Sequence, residues 1–132
     1  MIGFQAMLLA ATVAAQTIYT FPQGMHWTAI AGPGVPKGAT YAQLRGKDPD
    51  ACDTLVRYRF PNGYVYPWHV NNVAAIYMVQ SGTLVIGFDK HHAVAKERVL
   101  PAGSVMQGLA TEPHYGRAVG DTVFDVYILC RH

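Results

Sequence analysis

From residue 16 onward, apolar and β-branched residues come in short clusters separated by turn signals, and no stripe of helical period stands out. The stretch TLVRYRFP (54–61) alternates apolar and polar positions, as a half-buried strand does. AAIYMVQ (74–80) is a near-continuous apolar strand, and Ser81-Gly82 separates it from a second one, TLVIGF (83–88). Two strands about a Ser-Gly dipeptide predict a hairpin. VLPAGSVMQGLA (99–110) predicts a strand broken by Pro101-Ala102-Gly103 and another after it, and TVFDVYIL (122–129) predicts a last strand. GPGVPKGA (32–39) reads as a surface connection, because Pro and Gly recur too often for a helix. KDPDAC (47–52) and PNG (61–63) read as turns, DKHHAVAKER (89–98) as a polar connection or short edge element, and TEPHYGRAVGD (111–121) as a loop. Several strands at near-regular spacing predict an all-β fold, an antiparallel sandwich or barrel.

Composition narrows this reading. The 132 residues suit one domain with one core, assigned to residues 16–132. Only 14% are charged and 51% are hydrophobic, which excludes a disordered chain. The net charge of +2 is spread without a Lys/Arg run, so the footprint of a nucleic-acid binder is missing. Residues 1–15, MIGFQAMLLAATVAA, form an apolar run too short for a membrane span, which needs about 20 residues. Val13 and Ala15 are placed as the small residues a signal peptidase reads, although no basic residue precedes the run. A cleaved signal, hence a secreted or periplasmic protein, is the expectation; an uncleaved N-terminal apolar segment of a cytoplasmic protein is the alternative. Cys52 and Cys130 are far apart and fit no metal spacing, so two unrelated thiols are expected, with pairing as the alternative in an exported protein.

Candidate chemistry centres on two histidines. His69 lies in GYVYPWHVN, and residues two apart on an extended chain share a face, so His69 and Asn71 point to one interior. His114 lies in EPHY, beyond Pro101-Ala102-Gly103. Two histidines from separate β segments, each beside aromatic residues, are placed to converge inside a barrel. His26, the adjacent pair His91-His92, and Asp125 are weaker candidates; the pair faces opposite ways on an extended chain and suits a solvated surface. No Lys-Ser/Thr phosphate loop, Gly-x-Ser-x-Gly elbow or His-Glu-x-x-His is present.

The order Gly63, five residues, His69, then Ser81-Gly82, Pro101-Ala102-Gly103 and Pro113-His114 resembles the two motifs of the cupin superfamily, as in small single-domain bacterial cupins. The resemblance covers residues 27 to 130. It implies a small antiparallel β-barrel or jelly roll, and a divalent metal held by His-x-His, a Glu and a final His. His69 and His114 match the first and last of these ligands. Asn71 stands at the second histidine position and Ala75 at the glutamate position, so the resemblance implies an incomplete metal site of His69, His114 and Asn71. Glu112, two residues before His114, is a substitute donor.

The altered motif implies a roomier, less charged cavity lined by Trp68, Ala75, Tyr77, Met106 and Tyr115. The leading expectation is a protein that binds a small organic molecule. Lyase, isomerase or cyclisation chemistry through His69 and His114, with Tyr77 supplying a proton, fits that pocket. The cofactor expectation is none, or a weakly held divalent ion. A metal-dependent oxygenase or isomerase with a reduced ligand set is the second reading, and a non-catalytic structural or regulatory barrel the third. Such barrels resemble homodimers that cover their edge strands.

Overall fold

The computed structural model describes residues 15–131; all but the last residue of the apolar run 1–15 lies outside them. The alternation read from 54–61 is realised in the third of eight strands. Burying Val56 and Phe60 on one face leaves Arg57 and Arg59 on the other. The strands are β1 (Thr28–Ala29), β2 (Thr40–Arg45), β3 (Thr54–Phe60), β4 (Val65–His69), β5 (Ala75–Gly87), β6 (Glu97–Pro101), β7 (Val105–Gly108) and β8 (His114–Ile128). Every pairing is antiparallel. Helical structure among the described residues is limited to two short 3₁₀ turns, Pro22–Gly24 and Val94–Lys96.

Two long strands, β5 and β8, pair along their whole length and bend together. Their outer halves, 75–79 and 122–128, join β1, β2, β3 and β7 in a larger layer. Their inner halves, 83–87 and 114–119, join β4 and β6 in a smaller one. The two layers face each other across the core, where Phe60, Tyr77, Leu84, Ile86, Phe124 and Val126 pack. The result is a barrel-like jelly roll with β4 and β6 as edges of the smaller layer.

The bend corrects two expectations. Ser81-Gly82 does not turn a hairpin: β5 continues through it as one strand, with register shifts against β8 on either side. Gly82 takes φ 70°, and a Cβ there would overlap the Asp121 carbonyl, so the strand can fold over the corner only with glycine. The hydroxyl of buried Thr122 supplies the hydrogen bonds that the interrupted ladder omits, accepting from the Thr83 amide at 3.2 Å and facing the Thr83 carbonyl at 3.1 Å. Residues 114–121, read as loop, are the first half of β8. Glycines at 116 and 120 mimic loop punctuation, yet they mark a strand crossing between layers.

Cys52 and Cys130 form a disulfide, with Cα atoms 4.7 Å apart, correcting the expectation of unrelated thiols. The sequence separation of 78 residues concealed a contact made by sheet pairing: Thr54 lies opposite Ile128, so the chain just before β3 meets the chain just after β8. Beside the bridge, Asp53 accepts from Arg45 at 2.6 Å and from the Tyr127 hydroxyl at 2.5 Å. Those two donors hold the Asp53 carboxyl down at about 2.

Candidate functional site

β4 and β8 are antiparallel neighbours, and their register sets His69 directly opposite His114. Residues directly opposed in a ladder point to the same face, so both imidazoles enter the same interior. A register shift between Tyr66 and His69 reverses the alternation, and Tyr66 therefore joins His69 on the inner face although they are three positions apart. Pro67 sits in this bulge, where its missing N–H costs no ladder bond. The His69 and His114 rings lie 4.4 Å apart, centroid to centroid, edge to face at 67°. Tyr66 packs edge-on against His69 at 4.8 Å.

The hydrogen bonds define what the rings can do. Nδ1 of His69 lies 2.8 Å from the Pro67 carbonyl oxygen, and Nδ1 of His114 lies 2.9 Å from that of Glu112. A carbonyl only accepts, so each Nδ1 carries the proton and donates it, leaving Nε2 with its lone pair. Neither Nε2 has a protein partner, and no fully buried side-chain nitrogen or oxygen among the described residues goes unpaired. Both lone pairs are thus open to the cavity solvent. Burial lowers the pKa of His69, and the adjacent His114 pushes the same way, which keeps the His69 ring neutral. The Tyr77 hydroxyl, raised in pKa by burial, stays protonated and accepts a long bond from the Asn71 amide at 3.5 Å.

These groups line a cavity of about 500 Å³ between the layers. Tyr41, Tyr58, Phe60, Tyr66, Tyr77 and Phe124 supply its aromatic walls, Leu84, Ile86 and Val126 its aliphatic ones, and Pro49 and Asp50 reach it from the 46–53 loop. The structure places His69, Asn71, Ala75, Tyr77 and His114 on the lining. Trp68, Met106 and Tyr115 are outside it. Trp68 falls in the bulge, and Met106 packs against the core opposite Tyr77. Tyr115 is one residue from His114 and so points to the other side of the sheet, fully buried. There it donates to Glu97 at 2.6 Å, stacks on His92 at 4.0 Å, and lies so close over Gly87 that no side chain fits between.

Glu112 is exposed and reaches His114 only through its backbone carbonyl. His26 and His91 are exposed, and Asp125 is occupied on the outer face by Arg57 at 2.7 and 2.9 Å and by Gln80 at 3.1 Å. Sequence reasoning missed Tyr58, Phe60, Tyr66 and Phe124. The parity of β3 carried the signal for Tyr58 and Phe60, which share a face with Val56; the bulge that brings Tyr66 inward left no such pattern.

The resembled motifs imply a divalent metal, and the donor set can be tested against one. Such ions take three or four imidazole, thiolate or carboxylate donors. Here two imidazoles converge, Ala75 offers nothing, and the Asn71 amide is a neutral donor engaged with Tyr77. Among the described residues no group of three His, Cys, Asp or Glu side chains comes together. The residues do not fit a tightly held metal ion.

No protein-family model matches the chain, and no curated protein matches it in sequence. Many solved structures match in fold. The polyketide cyclase RemF from Streptomyces resistomycificus superposes with TM-score 0.70 at 17% identity, over 88% of this chain and 81% of that one. A predicted oxalate decarboxylase from Thermotoga maritima gives 0.69 at 18% identity, over 86% of this chain and all of that one. An RmlC-like cupin from Shewanella frigidimarina gives 0.65 at 16% identity, over 89% and 95%. The chain has the cupin fold. Its neighbours share architecture at identities too low to carry an activity across.

Proposed function

We propose that the cavity binds a small organic molecule and moves a proton on it through His69 and His114, without a resident metal ion. One observation carries the reading: two imidazoles 4.4 Å apart, each held by an Nδ1–carbonyl bond, line one aromatic chamber. A base held in a fixed tautomer needs no reorganisation before it takes a proton. Burial keeps His69 unprotonated, so its Nε2 is available to accept a proton. Tyr77, protonated and half across the chamber at 6.4 Å from the His114 ring, supplies the complementary proton or holds a developing oxyanion. The proton leaves carbon or oxygen of the substrate, rests on Nε2, and returns at another atom. That sequence suits isomerisation, elimination or ring closure.

The volume of about 500 Å³ and the mainly apolar walls are those of a small-molecule site. Similarity in fold to a protein described as a polyketide cyclase supports small-molecule chemistry in general. The Cys52–Cys130 bridge supports an oxidising compartment and hence export.

The test is exchange of carbon-bound hydrogen for deuterium, followed by NMR over a panel of enolisable small ketones and aromatic dicarbonyls in D₂O. Exchange by chelator-treated protein, abolished in His69→Ala, is the expected result. Activity that a chelator removes and a divalent ion restores would overturn the metal-free reading. Exchange undiminished in both His69→Ala and His114→Ala would overturn the role of the pair.

A further inference from the structure

The charge on the cavity lining is one-sided, although Asn71, Asn72 and the tyrosine hydroxyls also offer donors. Both Nε2 atoms are acceptors, because each Nδ1 holds the ring proton. Among the described residues no lysine or arginine lines the walls, and Asp50 is the one carboxylate that does. Asp53, Asp125 and Glu97 are each matched to an arginine, whereas Asp50 makes no ion pair among the described residues. Lys47, three residues away, lines the neighbouring groove with Tyr19 and Met25 and not the cavity. Burial raises the pKa of the Tyr58 hydroxyl, and Tyr77 and then Asp50 push it the same way. Tyrosine and phenylalanine rings, whose faces carry negative quadrupole charge, line the same cavity.

The geometry points to a small organic ammonium as the ligand of this cavity, its charge met by Asp50 and the aromatic faces and its N–H groups donated to His69 and His114. This rests on the reading that the cavity is a small-molecule site and names the class that enters it. An ammonium suits the carboxylate, the imidazole acceptors and the aromatic walls: it is cationic, it donates, and it gains from ring faces within about 6 Å. A carboxylate or phosphate would leave water for a chamber with no cation to receive it, beside a fixed negative charge. A neutral molecule of the same shape keeps the apolar contact and forfeits the rest.

Three probes of matched shape separate these outcomes by calorimetry at pH 7.5 and low salt: 2-phenylethylammonium, 2-phenylethanol and 3-phenylpropanoate. The ammonium is expected to bind at least tenfold more tightly than the alcohol, and the carboxylate not measurably. Asp50→Asn, an exposed loop position, is expected to weaken the ammonium at least fivefold and leave the alcohol unchanged. Equal or tighter binding of the alcohol or the carboxylate would overturn the inference while leaving the small-molecule site standing. Unchanged selectivity in Asp50→Asn would overturn the role of that carboxylate, and the inference with it. If none of the three binds, both this inference and the site reading beneath it fail.

Discussion

Removing the Cys52–Cys130 bridge should cost this protein a large part of its stability. The bridge closes a loop of 78 residues, more than half of the chain, around β3, β4, β5, β6, β7 and β8. Without it the unfolded chain regains the entropy that closure denies it. In the chain-entropy treatment a loop of that length is worth about 4.5 kcal/mol at 25 °C. With an unfolding entropy of about 2.1 cal/mol/K per residue, this corresponds to a fall in Tm of about 16 °C. The bridge also anchors the loop bearing Pro49 and Asp50 to the end of β8, where Ile128 lines the cavity, so ligand affinity should fall with stability. The assay is urea unfolding of Cys52→Ser/Cys130→Ser beside the oxidised parent, with thiol titration to establish that the parent is fully bridged. The variant should lose stability and show a larger m-value, because its unfolded state is no longer constrained. A loss below about 1 kcal/mol against a fully oxidised parent would refute the argument from loop closure.

Other consequences of the geometry are open to measurement. Asp125→Ala strands Arg57 against the outer face and should destabilise by about 2–3 kcal/mol, less than a fully buried pair because Arg57 is a quarter exposed; a double-mutant cycle with Arg57→Met in thermal unfolding checks the coupling. Gly82→Ala combines a positive φ with overlap of the Asp121 carbonyl and should cost about 3 kcal/mol in urea unfolding; a neutral result would mean that the corner can open without loss. Burial lowers the His69 pKa below the 6.5 of a free imidazole, so the folded state binds fewer protons than the unfolded one as pH falls. Stability should therefore be full above pH 6.5 and decline as pH falls toward the lowered His69 pKa, whereas base-dependent activity should persist below pH 6.5 until that pKa is reached, with an NMR imidazole midpoint under 6.5; a midpoint at or above that value contradicts the desolvation argument.

The amino-acid sequence by itself determined the all-β class, the strand at 54–60 and the two histidines worth following. Those properties are local: strand periodicity is written in consecutive side chains, and the motif spacing survives without knowledge of pairing. His69 and Asn71 both line the cavity, although β4 ends at His69 and Asn71 lies beyond it. Three features were decided by tertiary structure alone. Ser81-Gly82 is a turn signal in isolation, but pairing of β5 with β8 along both halves makes it a bend within one strand. Tyr66 reaches the His69 ring, and Tyr115 is lost to the opposite face, because a bulge resets parity in β4 and alternation persists in β8. Cys52 meets Cys130 because β3 and β8 are neighbours in the sheet, a contact 78 residues long in the chain. Strand partners, bulges and register are chosen by which faces can be buried together, and no window of sequence contains that choice.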